Sequence, residues 1–149
     1  MNLFVTVHSM PRMNLRASIG NLPTLITMVS ECAQSHGFPD ARVLEVELAL
    51  EEALTNVCNY AYDGEAGEVE VRCALDAVSD GLVVEIIDSG KPFNPLDAPE
   101  PNLTAEVEQR QMGGLGVFLI GKMANDVRYQ RLENRNCLRL FFKRRGRDE

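Results

Sequence analysis

The chain has 149 residues, of which 45% are hydrophobic, and a formal net charge of −7. This length suffices for one sizeable core and is too short for two ordinary domains, so we expect a single domain spanning residues 1–149. The acidic charge argues against a surface that neutralises phosphate backbones, and no apolar stretch or signal-peptide pattern indicates a membrane, so we expect a cytoplasmic protein without nucleic-acid or membrane partners.

The first half of the chain predicts a strand followed by two helices. Apolar and polar residues alternate over residues 3–7 and 13–17, as in a short strand or hairpin. A helix over residues 21–37 is indicated by apolar residues at helical spacing, with a proline in the first turn and a glycine at the end. A second helix should run over residues 40–62, with Asp40 as its N-cap.

The second half predicts strands with one further helix between them. Alternation over residues 68–75 and 82–87, on either side of a turn, indicates a β-hairpin. A helix over residues 113–124 and strands over 126–132 and 136–143 complete the order. Helices grouped apart from neighbouring strands favour the α+β class, a two-layer sandwich of a mostly antiparallel sheet with helices on one face.

A long loop over residues 89–112 separates the hairpin from the third helix. It contains four prolines and few large apolar residues. A loop of this length in a small domain is usually a lid or a binding segment. We therefore expect a functional site beside it.

Glu52 and Asn56 lie one turn apart on the second helix, on the face that helical projection places opposite the apolar stripe. An amide oxygen is a hard ligand suited to Mg²⁺, and a glutamate one turn earlier could accept the proton of an attacking hydroxyl. An ordinary solvated acidic face is the alternative, and the pair alone does not decide between the two.

Asp88 follows the second strand of the predicted hairpin and precedes the loop. A carboxylate at a strand end can accept a hydrogen bond from an exocyclic amine. Gly90 would let the backbone approach a flat ring, and Phe93 would add an apolar plug at the start of the lid. A simple Asp-Ser-Gly turn is the alternative.

Gly113, Gly114, Leu115 and Gly116 open the third helix. Amide N–H groups left bare by glycines at a helix start can hold an anion such as phosphate against the positive end of the helix dipole. A glycine hinge that ends a mobile loop is the alternative, since these residues form neither a Walker A loop nor a G-x-G-x-x-G after a strand.

The cysteines and the basic C-terminal tail indicate no further site. Four cysteines, at positions 32, 58, 73 and 137, form no C-x-x-C pair, so we expect thiols rather than zinc ligands or disulfides. The basic residues of the tail at 143–149 are typical of a solvated end.

Three motifs occur in a fixed order: Glu-Glu-Ala-Leu-Thr-Asn at 51–56, Asp-Ser-Gly-Lys-Pro-Phe at 88–93 and Gly-Gly-Leu-Gly-Val-Phe-Leu-Ile at 113–120. Together they resemble the GHKL ATPase superfamily, and within it the bacterial anti-sigma-factor serine-protein kinases. The similarity covers about residues 14–143. It implies a Bergerat-type (histidine-kinase-like ATPase) sandwich that uses ATP and Mg²⁺.

The resemblance also implies a role for each motif. Asn56 would hold Mg²⁺, Asp88 would meet the adenine amine and Glu52 would be the catalytic base. The glycines of 113–116 would line the phosphates beneath the lid. Many superfamily members carry a Gly-Thr pair near the C-terminus that supports adenine binding, whereas Asn136 and a cysteine stand here, which leaves the adenine contacts open.

The function implied is that of a serine-protein kinase and anti-sigma factor. Such a kinase transfers the γ-phosphate of ATP to a serine of an anti-sigma-factor antagonist, can bind and silence a sigma factor, and is expected to be a homodimer. The alternative is a binding module without catalysis, which sequesters a regulatory partner or activates a partner phosphatase when nucleotide is bound.

Overall fold

The computed structural model describes residues 11–97 and 114–145. The strand predicted at residues 3–7, residues 98–112 of the predicted lid, Gly113 and residues 146–149 lie outside the described part. Within it, two short 3₁₀ turns occur at Ile19–Asn21 and Pro95–Asp97. The regular elements are β1 Arg12–Arg16, α1 Leu22–Ser35, α2 Asp40–Tyr60, β2 Glu68–Asp76, β3 Gly81–Asp88, α3 Gly114–Met123, β4 Asp126–Leu132 and β5 Arg135–Lys143.

The strands of the described residues form one sheet in the order β1-β2-β3-β5-β4, and every neighbouring pair is antiparallel. The β2–β3 hairpin turns through Asp80 at φ 53°, and the β4–β5 hairpin through Glu133 and Asn134 at φ 54° and 63°. The two successive positive φ angles at Glu133 and Asn134 give a turn whose twist matches that of the strands. Aspartate and asparagine, as at positions 80 and 134, tolerate positive φ better than most residues.

The helices cover one face of the sheet. Alternate side chains of β2, β3 and β5 point towards them, and all are buried: Val69, Val71, Cys73, Leu82, Val84, Ile86, Leu138, Leu140 and Phe142. Leu25 of α1 and Leu50 and Leu54 of α2 are fully buried against this face. Each such side chain stabilises the fold by roughly 1.5–3 kcal/mol relative to exposure. The predicted α+β sandwich is confirmed.

A polar contact joins the two long helices inside this layer. Glu47 falls within the apolar stripe of α2 by helical projection. The hydroxyl of Ser30 on α1, itself 5% exposed, donates a hydrogen bond of 2.6 Å to Glu47 Oε2. Glu47 is half-buried, and a carboxylate in such a position needs a partner, so the glutamate in the stripe is explained by its contact with a residue 17 positions earlier on the neighbouring helix.

The start of α2 differs from the prediction. Asp40 was expected as the N-cap, but Pro39 takes that position with extended backbone and Asp40 is the first residue of the helix. The prediction was wrong by one residue because proline can flank a helix start without losing a needed N–H donor. As a residue of the first turn, Asp40 still places its negative charge at the positive end of the helix dipole.

Arg42 joins α2 to α3 and to the sheet. Its side chain is 3% exposed, and its guanidinium donates hydrogen bonds to Met123 O, to Lys143 O and to Asn125 Oδ1, at 2.7, 2.9 and 2.5 Å. Met123 is the last residue of α3, so the cation meets a helix end with unsatisfied carbonyls and a negative dipole. The fold is therefore fixed at this corner by a buried charge with several partners.

Within residues 11–97 and 114–145, the opposite face of the sheet carries charged side chains and no helix. Every residue of β3 is buried, including Glu85, whose Oε2 accepts hydrogen bonds from Arg139 Nη2 and Nε at 2.9 and 3.2 Å. Burial and the nearby Glu85 carboxylate raise the pKa of the Cys137 thiol to about 11. The central strand is thus covered on its outer side by charged neighbours.

All four cysteines are free thiols. Cys32 on α1 and Cys73 on β2 lie next to each other in the core layer. A hydrogen bond from the Cys73 thiol lowers the pKa of Cys32 to about 7, whereas the same bond together with burial raises the pKa of Cys73.

Candidate functional site

A cleft lies between α2, the ends of β3 and β5, and the segment that follows β3. The space within the cleft, counted together with the open solvent at its mouth, is about 410 Å³. Three predicted site residues, Asn56, Asp88 and Phe93, meet in its wall, although Asn56 lies far from the other two in sequence. The full lining is Ala53, Asn56, Val57, Ala61, Ile86, Asp88, Phe93, Pro95, Tyr129, Asn136 and Leu138.

Asp88 is the last residue of β3 and is 6% exposed. Its Oδ1 accepts two hydrogen bonds, from Gly90 N and from Asn136 Nδ2, both at 2.9 Å. Both partners are N–H groups, so Oδ1 acts as a hydrogen-bond acceptor. Among residues 11–97 and 114–145, Oδ2 has no hydrogen-bond partner. This oxygen is therefore available to an N–H group in the cleft.

Asn136 is the residue that holds Asp88 in place. It is 4% exposed, and its Nδ2 donates to Asp88 Oδ1 at 2.9 Å and to Lys91 O at 2.8 Å. Its Oδ1 accepts from Phe93 N at 3.3 Å and from the Tyr129 hydroxyl. Two donors and two acceptor positions are thus filled, which is the full capacity of one carboxamide. The amide orientation is fixed, because Lys91 O can only accept and Phe93 N can only donate.

The segment after Asp88 is packed tightly against the end of α2. A Cβ atom on Gly90 would come within 2.2 Å of Ala61 O, and Lys91 N donates to the same oxygen at 2.9 Å. On the other side, Arg131 Nη1 donates to Gly90 O at 2.7 Å. The close approach that requires glycine here is to the protein's own helix end, a reason that the sequence did not reveal.

Two tyrosines, one at the end of α2 and one just beyond it, contact this segment. The Tyr62 hydroxyl donates to Glu68 O at 2.5 Å and accepts from Ser89 N at 2.9 Å, and burial raises the pKa of Tyr62. The ring of Tyr60 lies 5.7 Å from that of Phe93, centroid to centroid. The start of the predicted lid is therefore anchored through both its backbone and its aromatic side chain.

Asn56 is 6% exposed, and its Nδ2 is buried without a hydrogen-bond partner among the described residues. The expectation that this face of α2 looks outward is wrong for Asn56. Ala49 and Ala53 on the same side are also buried, because α3 packs along α2 there. A buried carboxamide without a partner is costly, which is typical of a group that meets a ligand.

The remaining predicted site residues that the structure describes do not line the cleft. Glu52 is half-buried one turn before Asn56 and is not part of the cleft wall. Gly114, Leu115 and Gly116 form the first turn of α3, as predicted, and Gly113 lies outside the described residues. The structure thus brings Asn56, Asp88, Gly90 and Phe93 together, with Glu52 one helical turn from Asn56 on α2.

Comparison with known proteins agrees with this architecture. Residues 15–142 match the family described as the histidine kinase-like ATPase domain. The chain belongs to the histidine kinase-like ATPase family. It is also similar to serine-protein kinases RsbW, with 31% identity over 110 residues to that of Oceanobacillus iheyensis, 31% over 110 residues to that of Listeria monocytogenes and 33% over 109 residues to that of Bacillus pumilus.

These matches cover 67%, 67% and 68% of this chain and 65%, 66% and 66% of the relatives. The chain thus spans just under two thirds of the length of the relatives it matches. Within the described ranges, no helix of this histidine kinase-like ATPase is long and apolar enough to span a membrane.

The residues of the cleft fit the ATP and Mg²⁺ that this ATPase family implies. Asn56 supplies a buried amide whose Nδ2 has no hydrogen-bond partner among the described residues, and a half-turn of the side-chain amide exchanges its oxygen and nitrogen. Asp88 supplies an acceptor oxygen, and Phe93 and Ile86 supply apolar walls for a flat ring. A mostly apolar cleft with a few oriented polar groups is the usual form of a nucleotide site.

Asn136, Tyr129 and Arg131 are site residues that sequence reasoning missed. Asn136 was noted only as a departure from the Gly-Thr pair of the superfamily, and the other two were not singled out. All three lie on or beside the β4–β5 hairpin, whose register against β3 places Asn136 opposite Asp88. The signal that the sequence offers is Asn136 itself, because a polar residue at an inward position of a strand needs a partner.

Proposed function

We propose that this histidine kinase-like ATPase is an ATP-dependent serine-protein kinase. The observation that carries the proposal is that Asn56, with an unpartnered amide, and Asp88, with an acceptor oxygen, line one apolar cleft. The similarity to proteins named serine-protein kinases supports the same reaction. A serine of an anti-sigma-factor antagonist is the proposed acceptor, and sequestration of a sigma factor by a cytoplasmic homodimer is the proposed regulatory outcome.

Each residue has a task in this proposal. Asp88 Oδ2 accepts a hydrogen bond from the adenine amine, while Phe93 and the backbone at Gly90 cover the ring. The amide oxygen of Asn56 would bind Mg²⁺, and the N–H groups of residues 113–116, with Leu115 among them, would hold phosphate oxygens. Bound Mg²⁺ would neutralise charge on the transferring phosphoryl group.

Glu52 is the proposed catalytic base, which accepts the proton of the attacking serine hydroxyl. It lies one helical turn from Asn56, so a carboxylate and a metal-binding amide project from the same side of α2. Glu52 is half-buried, and in the described ranges no hydrogen bond engages its carboxylate, which leaves its oxygens open to an incoming hydroxyl.

The test is phosphate transfer by Glu52→Gln. The purified chain is incubated with γ-labelled ATP, Mg²⁺ and the cognate antagonist domain, and label on the antagonist serine is counted. We expect the substitution to reduce the transfer rate by at least about 100-fold, the usual contribution of general-base catalysis, and to leave ATP affinity nearly unchanged.

Glu51→Gln is the matched control, since Glu51 is its exposed neighbour on α2 and the change removes the same charge. This variant should transfer phosphate at the normal rate. Normal turnover in Glu52→Gln would refute the role of Glu52, and absence of ATP binding by the unaltered chain would refute the proposed function as a whole.

A second candidate function is a binding module that uses nucleotide without transferring phosphate. The observation that favours it is the position of Glu52, which lies beside the cleft and not in its wall. In that case the unaltered chain would form a stable complex with ATP and with its partner, and no labelled serine would appear under conditions in which a homologous pair reacts.

A further inference from the structure

We propose that Asn136 is a positioning residue that sets the nucleotide preference of this chain. It holds the Asp88 carboxylate with Oδ1 towards the protein and Oδ2 towards the cleft, so that the site accepts purines with a 6-amino group and rejects 6-oxo purines. This inference rests on the proposed function, because it concerns the base that the same cleft would bind.

The geometry that carries the inference is the distribution of donors around Asp88. Gly90 N and Asn136 Nδ2 both donate to Oδ1, each at 2.9 Å. No donor among the described residues reaches Oδ2. A ligand group that meets Oδ2 must therefore bring its own N–H. An exocyclic amine does so, whereas a carbonyl oxygen would face the carboxylate with no proton between them.

Asn136 can hold this arrangement because it has no freedom to rotate. Lys91 O and Asp88 Oδ1 require its NH₂ group on one side, and Phe93 N and the Tyr129 hydroxyl require its oxygen on the other. All four bonds are made in a residue that is 4% exposed. A flipped amide would bring oxygen against oxygen and N–H against N–H, so the donor that Asp88 receives is always present.

The same four bonds join the cleft to the start of the predicted lid. Lys91 and Phe93 belong to the segment that follows β3, and Tyr129 belongs to the edge strand β4. Asn136 thereby fixes the carboxylate and the Phe93 backbone relative to each other. The ring cover and the base-reading oxygen are positioned by a single side chain.

The experiment measures the affinities of ADP and of inosine diphosphate, its 6-oxo counterpart, by calorimetry with Mg²⁺ on the full chain. We expect the unaltered chain to prefer ADP by at least about tenfold, as for a site that hydrogen-bonds a substrate N–H. In Asn136→Asp, which keeps the acceptor oxygen and removes the donors, we expect the preference to fall to within about threefold.

Asn134→Asp is the matched control. Asn134 is exposed and lies two residues before Asn136 in the same hairpin, so the same change from amide to carboxylate should leave the preference for ADP within about twofold of the original ratio. A residue with a merely structural role would weaken both nucleotides equally, and the ratio of the two affinities would not move.

Asn136→Leu is the second variant, with similar volume and no polar atoms, in case the aspartate substitution does not fold. Thermal unfolding identifies which variants are folded. An unchanged preference for ADP in either folded variant would overturn the inference. If the unaltered chain binds neither nucleotide, the proposed function fails instead, so the two failures are distinguishable.

Discussion

Gly90 illustrates how one residue serves the fold and the site together. Its lack of a side chain lets the segment after β3 lie against Ala61 O, and its N–H donates to Asp88 Oδ1. The backbone of Gly90 is also held from the far side by Arg131. Any displacement of this residue would therefore move the carboxylate that faces the cleft.

We predict that Gly90→Ala destabilises the protein by about 1–3 kcal/mol, the usual cost of forcing extra volume into a packed site. The added Cβ would lie 2.2 Å from Ala61 O, which is backbone and cannot rotate away. Urea unfolding gives the change in free energy, and nucleotide affinity should fall in parallel because the Gly90 N–H shifts with its residue.

Gly121→Ala is the control with the opposite expected sign. Gly121 lies inside α3, and a Cβ there meets nothing within 4 Å. Alanine at an exposed helix position should raise the free energy of unfolding by up to about 1 kcal/mol. Equal effects of the two substitutions would show that the contact with Ala61 does not matter.

Only some of the individual residues of the candidate site could be predicted from the sequence. Asp88 and Asn56 were found because each lies in a motif of neighbouring residues whose order matched a family. Asn136 could not be assigned a role, since its partners Asp88, Lys91 and Phe93 lie 48, 45 and 43 residues away in sequence. Such contacts depend on strand register, which no single segment encodes.

Among the elements, α2 connects the core to the cleft. Its apolar stripe packs on the sheet, Asn56 near its end lines the cleft, and Arg42 in its first turn binds the end of α3. A cation in the first turn of its own helix is unfavourable, because the dipole there is positive. Arg42 is therefore stabilised by its tertiary partners and by the ring of Phe142, 5.4 Å from the guanidinium.

We predict that Arg42→Met lowers the free energy of unfolding by about 2–4 kcal/mol, because several buried hydrogen bonds from a charged group are lost together. Methionine keeps the apolar contact with Phe142, so the loss reports the polar contacts. Urea unfolding followed by circular dichroism measures it. The contact of α2 with α3 should loosen, which hydrogen exchange in α3 would detect.

Arg128→Met is the matched control on the surface. Arg128 pairs with Asp126 at 2.7 Å, but the two side chains are 66% and 45% exposed. Exposed ion pairs contribute about 0–1 kcal/mol, so this change should be small. A similar loss for both substitutions would contradict a special role for Arg42.

Element boundaries followed from the sequence where periodicity was clean. The alternation in β2 and β5 matched their buried and exposed faces, and the glycine and proline signals bounded α1. The sequence predicts β3 as a strand but does not predict what covers its outer face. All residues of β3 are buried, and the outer face carries pairs such as Glu85 with Arg139. The partner of Glu85 lies 54 residues away, beyond any local pattern.

For the whole molecule, the cleft lies where the layers meet. Its wall takes Asn56 from the helical layer, Asp88 from the centre of the sheet and Phe93 from the segment that leads into the predicted lid. A ligand that contacts all three would hold the layers together. Nucleotide binding should therefore stabilise the entire fold and not only the local segment.

We predict that ATP with Mg²⁺ at 100 times its Kd stabilises the chain by about 2.7 kcal/mol, which raises the Tm by roughly 5–10 °C. Asp88→Asn should remove this shift. The new amide would keep its oxygen towards Gly90 N and Asn136 Nδ2 and turn its NH₂ group to the cleft, where it would meet the adenine amine donor to donor. Because both internal hydrogen bonds survive, the Tm without nucleotide should change little.

Asp63→Asn is the matched control for Asp88→Asn, as Asp63 pairs with Lys91 at 2.7 Å on the surface. It should retain the full shift, and a normal shift in Asp88→Asn would refute the role of Asp88 in binding the base.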